Sequence, residues 1–303
     1  MSRFTVIILI AFAVVSANSQ NIDKYEQLGE KSFQRGDYTA AIENYSHVID
    51  LSSRLDQHSN SHRTDFTNEA TSEISNITAV DPRTAAGLVN RGRAYFASGS
   101  PEKAVNDYNR AIAIVPAMTS AFLCRGIAYV GLKKYDLALS DFERAIKLDK
   151  SELRGYVGRG IAKLGLGSNA AAMADFDYAV ELKSKDPLVF YYRGEARRLT
   201  ADFTGALIDF EHAIKLDPKH GQGYLGRGLI ELGNRAYESA ISDITKAIEL
   251  GTRDALAFAN RGMAYRALGK NPEAELDFQK AIQMDSSVAT EIASARSKIG
   301  SDN

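Results

Sequence analysis

An Arg-Gly pair recurs at a fixed step of 34 residues: Arg91-Gly92, Arg125-Gly126, Arg159-Gly160, Arg193-Gly194, Arg227-Gly228 and Arg261-Gly262. A constant step of this length calls for one helix-turn-helix unit stacked repeatedly, since such a unit cannot bury its apolar face without neighbours. With 303 residues the chain has room for two ordinary domains, but an unbroken register argues for one elongated array.

Other positions keep the same step. Twelve residues after each Gly stands Ala104, Ala138, Ala172, Ala206, Ala240 or Ala274, so Gly and Ala are expected to meet where paired helices approach most closely. Large apolar residues stand four before it (Leu88, Phe122, Tyr156, Phe190, Tyr224, Phe258) and sixteen after it (Tyr108, Phe142, Phe176, Phe210, Ile244, Phe278). A second alanine, at Ala111, Ala145, Ala179, Ala213, Ala247 and Ala281, is each time followed by Ile or Val, which gives the second helix an i, i+3, i+4 apolar stripe. Gly99-Ser100-Pro101, Gly131 with Lys133-Lys134, and Gly269-Lys270-Asn271-Pro272 mark turns, while Val115-Pro116 and Asp217-Pro218 close second helices. The pattern leaves no room for strands.

At these residues the chain resembles the tetratricopeptide repeat family, whose pattern over 34 residues is aromatic, Leu-Gly, Tyr, Gly-x-Tyr, Ala, aromatic, Ala, Pro. An earlier copy reads from Tyr25, Leu28-Gly29, Gly36-Asp37-Tyr38, Ala41 and Tyr45, for seven repeats in all. The resemblance implies an all-α superhelical solenoid of seven repeats. It also implies first helices on a concave face, second helices on a convex one, and protein or peptide partners lying in the concavity. Where the family usually has Leu before the Gly, only Leu28 obeys.

The six arginines are matched by acids fifteen residues after each Gly: Asp107, Asp141, Asp175, Asp209, Asp243 and Asp277. In an antiparallel hairpin the two rows lie level, which predicts a structural ladder of hydrogen-bonded Arg-Asp pairs rather than a row of arginines open to an acidic ligand.

The expected division is a signal peptide at 1-19, repeat 1 at 20-53, a polar insertion loop at 54-84, repeats 2-7 at 85-286, and a capping helix and tail at 287-303. Met1-Ser2-Arg3, a twelve-residue apolar run from Phe4 to Val15, and Val15-Ser16-Ala17 read as a secretory signal; the run is too short for the roughly 20 residues of a spanning helix. Export to a periplasmic or extracellular space is expected. The ending Gly300-Ser301-Asp302-Asn303 is not a retention signal, which disfavours the endoplasmic reticulum lumen. The insertion follows from Gly29 and Gly92 lying 63 residues apart, one period plus 29. It is rich in Ser, Asn and His and carries Asn76-Ile77-Thr78, a glycosylation acceptor sequence in a eukaryotic host.

Net charge is -1, from 37 basic and 38 acidic residues, so no whole-protein field draws nucleic acid or anionic membrane. Cys124 is the only cysteine, which rules out an intramolecular disulfide. His58 and His62 lack a third ligand in sequence, so no metal is expected. The chain has no His-Glu-x-x-His, no Gly-x-Ser-x-Gly and no Gly-x4-Gly-Lys-Ser/Thr. The expectation is a protein without catalysis or cofactor.

Residues three before, one after and four after each Gly share one side of the first helix. They give Leu123, Ile127 and Val130; Val157, Ile161 and Leu164; Tyr191, Glu195 and Arg198; and Leu225, Leu229 and Leu232. An apolar trough with a few polar fixing points is the expected partner-binding face, the alternative being that part of these rows packs between neighbouring first helices. The basic clamp with which some family members hold acidic chaperone tails is not matched, since Glu26 and Glu30 stand in its place in the first repeat. The function expected is an exported scaffold or adaptor that docks a protein or peptide. A holder of non-native apolar chains and a self-assembling homo-oligomer are the alternatives.

Overall fold

The structure is a computed structural model that describes the backbone of residues 3–66, 82–290 and 292–294, and the side chains of 19–55, 82–290 and 292–294. The described residues form fourteen α-helices and one 3-10 turn, with no strand. They divide into two compact units, Met1–Ala162 and Lys163–Asn303. The first holds α1 (Arg3–Gln34), α2 (Tyr38–Phe66), α3 (Pro82–Ala97), α4 (Pro101–Ile114), α5 (Thr119–Gly131), α6 (Tyr135–Leu148) and most of α7 (Leu153–Gly165). The second begins inside α7 and continues with α8 (Asn169–Glu181), α9 (Pro187–Leu199), α10 (Phe203–Leu216), α11 (Gly221–Gly233), α12 (Tyr237–Glu249), α13 (Ala255–Ala267), α14 (Asn271–Met284) and η1 (Ser286–Val288). Two by two, the helices are the seven repeats. Within each unit a second helix also packs on the first helix of the next repeat, as α2 does on α3 and α10 on α11.

Each hairpin turns at one place in the period. The residue seven after the ladder glycine has positive φ in Gly36, Gly99, Lys133, Gly167, Ala201, Arg235 and Gly269. This left-handed residue ends the first helix: Gly99 N donates to Phe96 O at 3.0 Å and Ser100 N to Tyr95 O at 2.8 Å, which satisfies carbonyls that the helix end would orphan. Among the second helices α8 and α12 end likewise, on Lys183 and Gly251, but those that precede a proline stop differently. Val115 and Asp217, each before a proline, have ψ of 87° and 97°, because the proline ring forbids the helical conformation to the residue before it.

The core shows why glycine recurs. A Cβ on Gly126 would stand 2.8 Å from the Phe142 ring, and one on Gly194 at 2.8 Å from Phe210. Gly158 and Gly226 press on the same two rings from the next first helix. Phe142 and Phe210 are therefore each clamped between glycines on successive helices. Beyond the expected Gly-Ala approach, the glycine makes room for the ring sixteen residues on. The alanine marks a backbone approach, with Ala274 O 3.1 Å from where a Cβ on Gly262 would stand. Full burial of such a side chain contributes about 1.5–3 kcal/mol.

The insertion expected as a loop at 54-84 is corrected at both ends. No Gly or Pro occurs between Tyr38 and Asp81, so nothing halts α2 before Phe66, and α3 begins at Pro82, where proline's fixed φ suits the first helical position. Asn76 lies outside the described residues, and so do the side chains of His58 and His62. The cap expected from 287 starts with the 3-10 turn η1. Val288 and Ile292 are buried against Ala255, Ala259, Phe278 and Ala281 of α13 and α14. The apolar run of the expected leader lies within α1, which is one continuous helix from Arg3. Among the described residues, no helix is long and apolar enough to cross a membrane.

Candidate protein-binding face

Wherever its pairs are described, the arginine row is forked onto the aspartate row. Arg125 donates from Nε to Asp141 Oδ2 at 2.8 Å and from Nη2 to Oδ1 at 2.6 Å. The same fork joins Arg91 to Asp107, Arg193 to Asp209, Arg227 to Asp243 and Arg261 to Asp277. All these acids are buried, so each carboxylate depends on its guanidinium for compensation. At Asp141 burial pushes the carboxyl above its usual range, and Arg125 opposes the shift.

In four of these arginines the remaining nitrogen reaches back one repeat. Nη1 donates to Ser46 Oγ from Arg91 at 3.1 Å, to Asn109 Oδ1 from Arg125 at 2.6 Å, to Asp177 Oδ1 from Arg193 at 3.0 Å, and to Thr245 Oγ1 from Arg261 at 3.1 Å. The guanidinium also lies over the ring three residues earlier, 5.6 Å from the centroid for Arg125 on Phe122 and 5.8 Å for Arg227 on Tyr224. A group held on three sides is a fastener, and the row offers an acidic ligand no open fork.

Sequence reasoning missed a third member of this network, three residues after the Gly. In the fourth repeat Lys163 Nζ donates to Asp175 Oδ2 at 2.8 Å, and in the fifth Arg197 Nη1 donates to Asp209 Oδ2 at 2.7 Å. The 34-residue step contains that signal, since Tyr95, Tyr129, Lys163, Arg197, Glu231 and Tyr265 share the offset.

The expected binding rows separate by burial. Leu123 and Leu225 are 1% and 7% exposed and belong to the core, so they are corrected out of the face. First helices of successive repeats touch one another, α3 with α5 and α9 with α11, and the offset three before Gly points into that seam. In the first unit Ile127 is 45% exposed, while Val130, Val157 and Ile161 are half-buried. In the second unit Leu164, Tyr191, Glu195, Arg198, Leu229 and Leu232 are half-buried.

The polar members of the second unit neutralise one another. Arg198 donates from Nε and Nη2 to the two oxygens of Glu195, at 3.1 and 2.9 Å. Tyr191 packs on Tyr192, Phe210 and His220, and burial, then the Glu195 charge, pushes its hydroxyl above the usual tyrosine range. Arg198 and Leu229 share a cavity of about 170 Å³ with Phe203, Ile230, Gly233 and Asn234. Phe203, absent from the expected rows, is 47% exposed there. Among the described residues, no group of three or more His, Cys, Asp or Glu side chains is placed to hold a metal ion.

Sequence profiles described as TPR repeat and tetratricopeptide repeat match residues 92–133, 125–187 and 255–287. Residues 92–187 and 255–287 are tetratricopeptide repeats. A tetratricopeptide repeat protein from Parabacteroides merdae is 20% identical with a TM-score of 0.54, covering 81% of this chain and 99% of its own. The Cut9–Hcn1 hetero-tetramer of the APC/C gives a TM-score of 0.65 at 16% identity, over 87% of this chain and 54% of that one. PilW, a type IV pilus biogenesis factor, gives 0.59 at 17% identity, over 69% and 97%. At such identities these likenesses show the fold alone. No curated protein matches the chain in sequence. Tetratricopeptide repeats generally bind protein partners, and proteins built from them are typically non-catalytic scaffolds.

Proposed function

We propose that this tetratricopeptide repeat protein is an exported scaffold that docks a peptide or amphipathic helix on the faces of its first helices. The observation that carries the reading is Ile127, a large aliphatic side chain 45% exposed in a row that is otherwise apolar and partly covered. Val130, Val157 and Ile161 extend the apolar surface in the first unit. In the second unit Leu164, Leu229 and Leu232 do the same, and the Tyr191, Glu195 and Arg198 group is the polar fixing point. Because Arg-Asp forks hold the helices in place, a ligand meets a preformed face and the ordering cost falls on the ligand. Export rests on Arg3, the apolar run from Phe4 to Val15 and the small residues Ser16 and Ala17.

The test is affinity capture from the exported fraction, comparing wild type with an Ile127→Glu, Ile161→Glu, Leu229→Glu variant that circular dichroism shows to be folded. Loss of one or a few captured proteins in the variant is the expected result. Capture of the same set by both places binding elsewhere, and capture of the protein's own copies alone makes the face a self-assembly surface.

A further inference from the structure

The residue three after the ladder glycine changes sign within the second unit. Lys163 and Arg197 bring a second cation onto the ladder aspartates Asp175 and Asp209. At the equivalent place in the sixth repeat stands Glu231, and its Oε2 is buried with no hydrogen-bond partner. Three charged groups face it: Arg227 on its own helix, Asp243 on α12 and Glu211 on α10. Arg227 is already forked onto Asp243 and is not a partner for Glu231. Two acids and one occupied guanidinium therefore share a partly buried space, with Glu211 adding to the negative side. Burial first, and Asp243 next, push the Glu231 carboxyl above the usual glutamate range.

We infer that Glu231 and Asp243 form an acid-responsive carboxyl pair, in which Glu231 takes one proton from solvent and donates it as a hydrogen bond to Asp243, tightening the α11/α12 hairpin as pH falls. The geometry of the neighbours supports the direction of that bond. At the same offset the Lys163 and Arg197 side chains reach Oδ2 of their aspartates at 2.8 and 2.7 Å, so in the two preceding repeats the position presents a donor. Ionised, Glu231 offers only acceptors; protonated, it supplies the missing donor. A group whose pKa is raised in the folded state contributes stability that is present below its unfolded value and lost as pH rises through its folded value. The α11/α12 hairpin is therefore loosest near neutral pH, opposite to the usual loss of stability in acid.

The test uses the full chain. A carbon-13 titration of the Glu231 side-chain carboxyl in wild type reads the proton directly, and thermal melts of wild type and Glu231→Gln near neutral pH and at the midpoint so measured read its consequence. The expected results are a Glu231 midpoint above the ordinary value of about 4.3 and a melting gain for Glu231→Gln of roughly 2–4 °C near neutral pH that shrinks as pH falls to that midpoint. Glu238→Gln, on the exposed side of α12, serves as the comparison and is expected to show no pH-dependent gain. A Glu231 midpoint at or below the ordinary value overturns the inference, and so does a Glu231→Gln gain that is absent or equal at both pH values.

Discussion

Nη1 of Arg193 donates to Asp177 Oδ1 across 3.0 Å, from the fifth repeat's first helix back to the fourth repeat's second. The same guanidinium holds Asp209 through its other two nitrogens, so one side chain ties a hairpin together and also ties it to the hairpin before. A row of identical charges is thereby spent on construction, and recognition is left to the apolar rows beside it.

Removing one partner of a fork strands the other. Arg261→Leu leaves Asp277 buried and uncompensated, with an expected loss of about 3–5 kcal/mol, while Arg261→Leu with Asp277→Leu regains most of it. Urea unfolding of the two single variants and the double variant gives the coupling.

Gly158→Ala forces a methyl into the Phe142 ring. The helix-propensity gain of about 1 kcal/mol is outweighed by overpacking of about 1–3 kcal/mol. The melting temperature is expected to fall, and Phe142→Leu in the Gly158→Ala background to cost less than Phe142→Leu alone.

Ala201 holds a left-handed conformation, with φ of 65°, at a turn where four of the seven repeats have glycine. Relief of that strain, about 1–2 kcal/mol, exceeds the added freedom of an unfolded glycine, about 0.4–1 kcal/mol. Ala201→Gly is therefore expected to move the urea midpoint upward.

His220 has a buried Nδ1 without a partner, and burial lowers its pKa from 6.5 against the opposing pull of Asp217 and Asp186. Its contribution to stability is full above 6.5 and is lost as pH falls through the depressed folded value. A His220→Gln variant is expected to lose less stability than wild type between neutral pH and about pH 5, read by urea unfolding at each pH.

Ile292 is wholly buried on the last repeat. Ile292→Asp is expected to expose the α13 and α14 contacts locally, since each repeat leans on its neighbour alone. Hydrogen exchange should rise in those helices while α9 to α12 stay protected.

Periodicity made the helices, their number and the Arg-Asp pairing legible, because each of those repeats in sequence as it does in space. It gave no sign of the contact between Gly126 and the Phe142 ring sixteen residues on, since spacing says which residues are level but not which atoms touch. It misread residues 54–66 as loop because their composition is polar, although no residue there stops a helix. Leu123 and Ile127 are equally apolar as letters. One is sealed in the seam between first helices and the other is exposed, a difference set by packing between repeats.

The backward bonds from four of the ladder arginines end on a carboxylate at Asp177, an amide at Asn109, and hydroxyls at Ser46 and Thr245. Charge-assisted on both sides, the Asp177 joint is the strongest of the four, and the hydroxyl joints are the weakest. Under tension within either unit the hydroxyl joints yield before the others, so a change of one acceptor resets where the protein stretches without disturbing any hairpin.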